Sequence, residues 1–150
     1  MGATKLSNKN LRKEIGNTCV CFNLRRATRL VTQRFDRALR QLGLKANQFS
    51  ILMASYGTDG ILLTRMAKTL GMERTTLTRN LVPLEEMGMV SSEPGADRRE
   101  RRIKITEKGS ALLEKALPLW QQVQREIMES IGGETWVGLL SGLHEVARKL

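Results

Sequence analysis

The chain has 150 residues, 41% hydrophobic and 27% charged, which is the length of one domain and the composition of a folded globular protein rather than a disordered one. Its 25 Lys and Arg against 15 Asp and Glu leave a formal charge of +10, which points to a polyanionic partner, most often nucleic acid. No apolar run approaches the roughly 20 residues of a membrane helix, the polar start from Met1 to Asn10 lacks a signal-peptide core, and two cysteines make no disulfide framework, so the expectation is a cytoplasmic protein with no membrane partner.

The charge is uneven. Residues 1–45 carry 11 basic and 2 acidic side chains, and the short stretch from Arg98 to Lys104 carries five basic residues against Glu100 alone. A local cluster of this kind suits a phosphate backbone better than the same charge spread over a surface.

Val20, Leu24, Ala27, Val31, Phe35, Ala38 and Leu42 recur at helical spacing and predict one long helix over 11–43, stopped at Gly43. A second helix is expected over 46–56, with Phe49, Leu52, Met53 and Tyr56 inward, ended by the turn Thr58-Asp59-Gly60. Residues 62–70 and 73–88 read as two helices joined by a tight turn at Gly71-Met72, the second apolar along Leu77, Leu81 and Leu84. Helices joined in this way are the helix-turn-helix pattern.

A strand over 89–93, the turn Pro94-Gly95-Ala96-Asp97 and a strand over 101–105 then predict a β-hairpin with a basic tip. The expected fold is therefore mainly α with a small β-hairpin wing, a winged helix-turn-helix. Thr106 is placed to cap a helix over 107–130 that contains Pro118, and Gly132-Gly133 separates it from a last helix over 135–149.

On the second helix of the pair, Thr75, Thr78, Arg79 and Val82 fall opposite the apolar stripe, and Arg74 and Thr76 flank them. Arginine makes bidentate contacts to guanine, and threonine offers a hydroxyl and a methyl for thymine, so Arg74, Thr75, Thr76, Thr78 and Arg79 are candidate base readers. Arg98, Arg99 and Arg101 near the hairpin tip suit the strongly negative potential of a narrow minor groove. Arg102 and Lys104 are expected to face solvent or phosphate, and Arg65 and Lys68 are candidate phosphate contacts.

The order of elements, with Leu70-Gly71-Met72-Glu73-Arg74-Thr75-Thr76-Leu77-Thr78-Arg79, then Leu84-Glu85-Glu86-Met87-Gly88-Met89-Val90, then Asp97-Arg98-Arg99 and Ile105-Thr106 with Gly109 behind, resembles the MarR family of bacterial transcription regulators over essentially the whole chain. The resemblance implies that Asp97 orients the wing and Arg99 enters the groove. It also implies a single domain in which residues 11–43 and 107–150 form a helical dimerisation region and 46–106 the DNA-binding lobe. The implied partners are double-stranded DNA, a second copy of the chain and a small-molecule effector, and the implied function is an operator-binding regulator, a repressor. Phe49, Met53 and Trp120 are candidates for the effector pocket.

Cys21, in Cys-Phe-x-Leu, resembles the sensor segment of the organic-hydroperoxide branch of that family, which makes a thiol-based redox sensor an alternative reading. Arg25 stands where that branch has a tyrosine. Placed on one helix, Cys19 and Cys21 point about 200° apart and do not pair, so oxidation is not the expected main switch. A non-specific architectural DNA binder is a second alternative. No nucleophile–His–acid set, phosphate-cradling glycine loop or metal-ligand cluster is present in the sequence, so no catalytic residue, metal or cofactor is expected.

Overall fold

The computed structural model describes residues 8–97 and 100–150, excepting the side chains of residues 8 and 9. The helix expected over 11–43 is broken near its start. α1 covers Asn8–Thr18 and α2 covers Val20–Leu39, with Cys19 between them in an extended conformation (φ −72°, ψ 107°).

Local hydrogen bonds make the break cheap. The Cys19 sulfur accepts the Phe22 N–H at 3.4 Å and caps α2, while the Asn23 amide donates to the carbonyls of Gly16 and Cys19, each at 3.0 Å. Cys19 and Cys21 therefore do not share a helix, which corrects the expectation that helical geometry turns them away from each other.

A 3-10 turn at Arg40–Leu42 follows α2, and Gly43 takes the left-handed conformation (φ 66°) that stops it, as the sequence suggests. Asp36 then reaches forward from α2 to accept the Ala46 N–H at 2.7 Å, fixing the start of α3 (Ala46–Ser55). Phe49 and Leu52 are buried on α3 as expected, but Gln48, Ile51 and Ser55 complete the buried face, and Met53 and Tyr56 are exposed. The reason is tertiary, because α3 packs at once against helices over 63–70, 74–86 and 107–131, and its inward face is rotated toward Ile51.

α4 (Leu63–Leu70) and α5 (Arg74–Glu86) form the helix pair, with Gly71 left-handed at the turn (φ 62°). The strands β2 (Val90–Pro94) and β3 (Arg101–Ile105) pair antiparallel with Val90 opposite Ile105 and Pro94 opposite Arg101. A two-residue strand absent from the sequence reading, β1 (Ile61–Leu62), adds to the other edge of β3 and makes a three-stranded sheet of order β1-β3-β2. Ile103, central in that sheet, is fully buried.

α6 (Glu107–Ile131) begins at Thr106, whose hydroxyl accepts the Gly109 N–H at 3.0 Å, and runs on through Pro118. α7 (Gly133–Lys149) starts two residues earlier than expected and buries none of its residues. The core is one cluster around Leu39, Ile51, Leu52, Met66, Leu77, Leu81, Leu84, Ile103 and Leu113. Each such side chain contributes about 1.5–3 kcal/mol over leaving it in water. Among the described residues no helix is long and apolar enough to cross a membrane.

Candidate nucleic-acid interface

Leu77, Leu81 and Leu84 have no exposed surface, so they fix α5 against the core and decide which residues are left outside. Arg74, Thr75, Arg79 and Val82 are exposed, as is Glu86 at the end of the helix, and Thr76 and Thr78 lie half-buried at the margins. Arg74, Thr75, Thr78 and Arg79 border one shallow concavity, so four of the five candidate base readers share a surface. The Thr78 hydroxyl donates to the Arg74 carbonyl at 2.8 Å, which leaves its oxygen able to accept a further hydrogen bond. Val82 and Pro83 occupy the later half of the helix, where the missing N–H of Pro83 costs only the bond to the Arg79 carbonyl and leaves the turns that carry Arg74 to Thr78 paired.

The hairpin places its basic residues in two different situations. Arg98 and Arg99 lie outside the described residues. Asp97 is exposed in the tip turn, where its carbonyl accepts the Glu100 N–H at 2.9 Å, and Gly95 closes the turn by donating to the Glu100 carbonyl at 2.9 Å.

The basic residues of β3 are engaged within the protein. Arg101 pairs with Glu85 of α5 at 2.6 Å and donates to the Ser92 hydroxyl at 2.8 Å. Arg102 donates to the Gly60 carbonyl at 2.9 Å, and Lys104 pairs with Asp59 at 3.3 Å and Glu93 at 3.2 Å. The expectation that Arg102 and Lys104 face solvent or phosphate is thus corrected. They brace β3 against the turn before β1, because β1 brings Asp59 and Gly60 alongside. Gly60 is required there: its φ is +89°, and a β-carbon would meet the Arg102 side chain at 2.7 Å.

These pairings shift two titrations. Partial burial raises the pKa of Glu85, but hydrogen bonds from Ser92 and Arg101 and the charge of Arg101 outweigh it and hold the carboxyl below its ordinary value. Hydrogen bonds to Glu93 and Asp59 hold the Lys104 ammonium above its own. Sequence reasoning missed Glu85 and Asp59. Neither has a local signal, since each meets its partner across at least 16 residues of chain.

Arg65 and Lys68 are exposed on α4, and Arg65 borders a cleft with Thr58, Thr69 and Arg102. Two of the three effector-pocket candidates, Phe49 and Trp120, meet. Phe49 is buried with its ring stacked on Trp120 (centroids 6.4 Å apart, planes at 14°), and Met53 is 41% exposed. A cleft of about 970 Å³ also lies between α2 and α6, lined by Leu30, Arg34, Arg37, Arg40, Leu119 and Val123 among others. Among the described residues no cluster of His, Cys, Asp or Glu is arranged to hold a metal ion. Cys19 is half-buried and Cys21 exposed, both as free thiols.

A helix pair presenting Arg and Thr outward, followed by a three-stranded sheet with a basic hairpin and flanked by long terminal helices, defines a winged helix-turn-helix protein. No protein-family model matches the chain. Among solved structures, it is similar to the M. tuberculosis transcriptional regulator MosR in complex with DNA, at 41% identity over 87% of this chain and 98% of that one, with a TM-score of 0.73. It is also similar to the transcriptional repressor CouR bound to a 23-mer DNA duplex (29% identity over 89% of this chain and 95% of that one, TM-score 0.78). A MarR-family transcriptional regulator from Rhodococcus sp. RHA1 matches at 25% identity over 91% of this chain and 94% of that one, with a TM-score of 0.77. The chain belongs to the MarR family of transcriptional regulators.

Proposed function

We propose that the protein is a homodimeric, sequence-specific DNA-binding regulator, a repressor, that holds a pseudo-palindromic operator and releases it when a small effector binds. The observation that carries this reading is the exposure of Arg74, Thr75 and Arg79 on one face of a helix whose other face is sealed into the core, beside the basic hairpin. In a major groove these side chains, with Thr76 and Thr78, supply the donors and methyl groups that distinguish base edges. Asp97 orients the wing, Arg98 and Arg99 approach the minor groove with Arg101 behind them, and Arg65 and Lys68 meet phosphates.

Residues 46–106 read the DNA, and residues 11–43 and 107–150 pair the two copies. The pairing is supported by apolar side chains that one chain leaves in water: Val20 is 64% exposed, Val137 67% and Leu139 46%. A rigid twofold dimer sets its two reading helices about one helical turn of DNA apart, roughly 34 Å. With DNA as its partner, the protein acts in the cytoplasm. The α2–α6 cleft is a better effector site than Phe49, Met53 and Trp120. Its three arginines beside Leu30, Leu119 and Val123 suit an anionic amphiphile.

Selection of bound sequences from a random DNA pool, repeated with candidate effectors, tests this reading. It predicts an inverted-repeat consensus whose recovery falls with the effector. A pool that stays random would favour an architectural DNA binder.

A second reading is favoured by one observation, the break at Cys19. Cys19 is extended and outside the helix that begins at Val20, so Cys21, once oxidised, has a neighbouring thiol that helical geometry does not hold away. Oxidation of Cys21 to a sulfenic acid by a hydroperoxide, followed by attack of the Cys19 thiolate with loss of hydroxide, would give a disulfide that must distort the start of α2. A gel shift under organic hydroperoxide, with a reductant as reversal control, decides the matter. Reversible release by wild type but not by Cys19→Ser/Cys21→Ser establishes a thiol switch, and equal behaviour of the two proteins excludes it.

A further inference from the structure

Three groups form a closed triangle between the recognition helix and the wing. One oxygen of Glu85, in the last turn of α5, accepts from the Ser92 hydroxyl on β2 and from the Arg101 guanidinium on β3 at 2.6 Å. Arg101 completes the ring by donating its Nε–H to the Ser92 oxygen at 2.8 Å. An acid on a surface meant for DNA repels phosphate, so its presence there needs a reason.

Global stability is a weak reason. Glu85 and Arg101 are 27% and 33% exposed, and ion pairs at that exposure contribute little. What the triangle does supply is geometry. It ties both strands of the hairpin to the end of the helix whose beginning carries Arg74, Thr75 and Arg79. On the far side of β3 the tie is made by backbone pairing with β1 and by Arg102 on the Gly60 carbonyl. Held from both sides, strands β2 and β3 keep a set distance and angle to α5.

We propose that Glu85 is a positioning residue for DNA recognition: through Ser92 and Arg101 it sets the pose of the wing relative to the recognition helix, so that groove and wing contacts form together on the operator. This rests on the DNA-recognition reading above. It also assigns Arg101 a different role from direct contact with DNA: its charge is spent on Glu85, and it serves recognition by holding β3.

The test uses two variants of equal charge. Glu85→Ala and Glu85→Gln both remove the carboxylate, and simple electrostatics predicts that both tighten binding to every DNA. Glutamine keeps an oxygen where Ser92 and Arg101 can donate to it, and alanine does not.

Affinity is measured for the full-length protein on its selected operator and on random duplex. A wild-type preference for the operator establishes the underlying reading, and the variants then test the inference alone. The expected result is that Glu85→Gln keeps the operator-to-random ratio within about twofold. Glu85→Ala should lower it by about fivefold with random-duplex affinity unchanged or raised, and should add nothing further in an Arg101→Ala background. Equal ratios for the two Glu85 variants, or additive losses with Arg101→Ala, would overturn the proposal. If Glu85→Ala does not fold, Arg101→Ala carries the test. A lowered ratio with an unchanged salt slope supports positioning, whereas loss of about one phosphate equivalent of slope means that Arg101 touches DNA itself.

Discussion

The α-carbon of Gly109, in the first turn of α6, lies against the carbonyl of Met89, and a β-carbon at that position would fall 2.1 Å from the oxygen. The same Met89 carbonyl accepts the Thr106 N–H at 3.0 Å, and the Thr106 hydroxyl donates to the Gly88 carbonyl at 2.7 Å. The base of the wing, the end of the recognition-helix segment and the start of α6 are thus packed backbone to backbone. Substituting Gly109→Ala forces them apart. The expected cost is about 1–3 kcal/mol or more, the range of overpacked sites, because the obstacle is backbone that has no rotamer to yield. Urea denaturation of the two proteins measures it, and an unchanged midpoint would mean that the contact relaxes freely.

Acid should weaken the tie between helix and wing. The Glu85 carboxyl is held below its ordinary value of 4.5, so the stability it contributes is complete above that pH and is lost as the pH falls through the lowered folded-state value. The stability difference between wild type and Glu85→Gln should therefore be largest near neutrality and shrink below pH 4.5. Denaturation of both proteins across that range gives the difference directly, and a difference independent of pH would remove Glu85 from the account of acid sensitivity.

Deleting residues 135–150 removes Trp136, Leu139, Leu140 and Leu143, part of a helix that buries nothing within its own chain. The truncated protein should sediment as monomer or aggregate and bind operator poorly, because two half-sites no longer share one rigid body. A full-length protein that sediments as a monomer at micromolar concentration and still binds tightly would contradict the dimer.

Much of this was legible in the residues, and the exceptions have physical causes. Gly43, Gly71 and Thr106 mark their helix ends because left-handed backbone and a side-chain cap are local requirements. β3 was bounded correctly at Arg101–Ile105 by its period-two alternation. The break at Cys19 was not legible, since the apolar stripe on α2 has the same period with or without a helix before it, and a cysteine is not an expected cap. β1 is two residues long and exists only because β3 offers an edge. Half of the α3 face, Phe49 and Leu52, is legible, but Ile51 rather than Met53 turns inward because α2, α4, α5, α6 and β3 all pack against that helix. The charge cluster at 98–104 was visible, but which of its members are neutralised by Glu85, Asp59 and Glu93 depends on contacts no local pattern encodes.

The central claim is that α5 reads sequence. Arg79 is exposed on the face opposite Leu77, Leu81 and Leu84, where it can reach base edges. The most direct measurement is a fluorescence-anisotropy titration of wild type and Arg79→Ala on the selected operator and on random duplex at one salt concentration. Wild type should prefer the operator by at least about a thousandfold, and Arg79→Ala should lose about 1–3 kcal/mol on the operator and far less on random duplex. Equal affinity of wild type for the two DNAs, or an equal loss on both for Arg79→Ala, would contradict it.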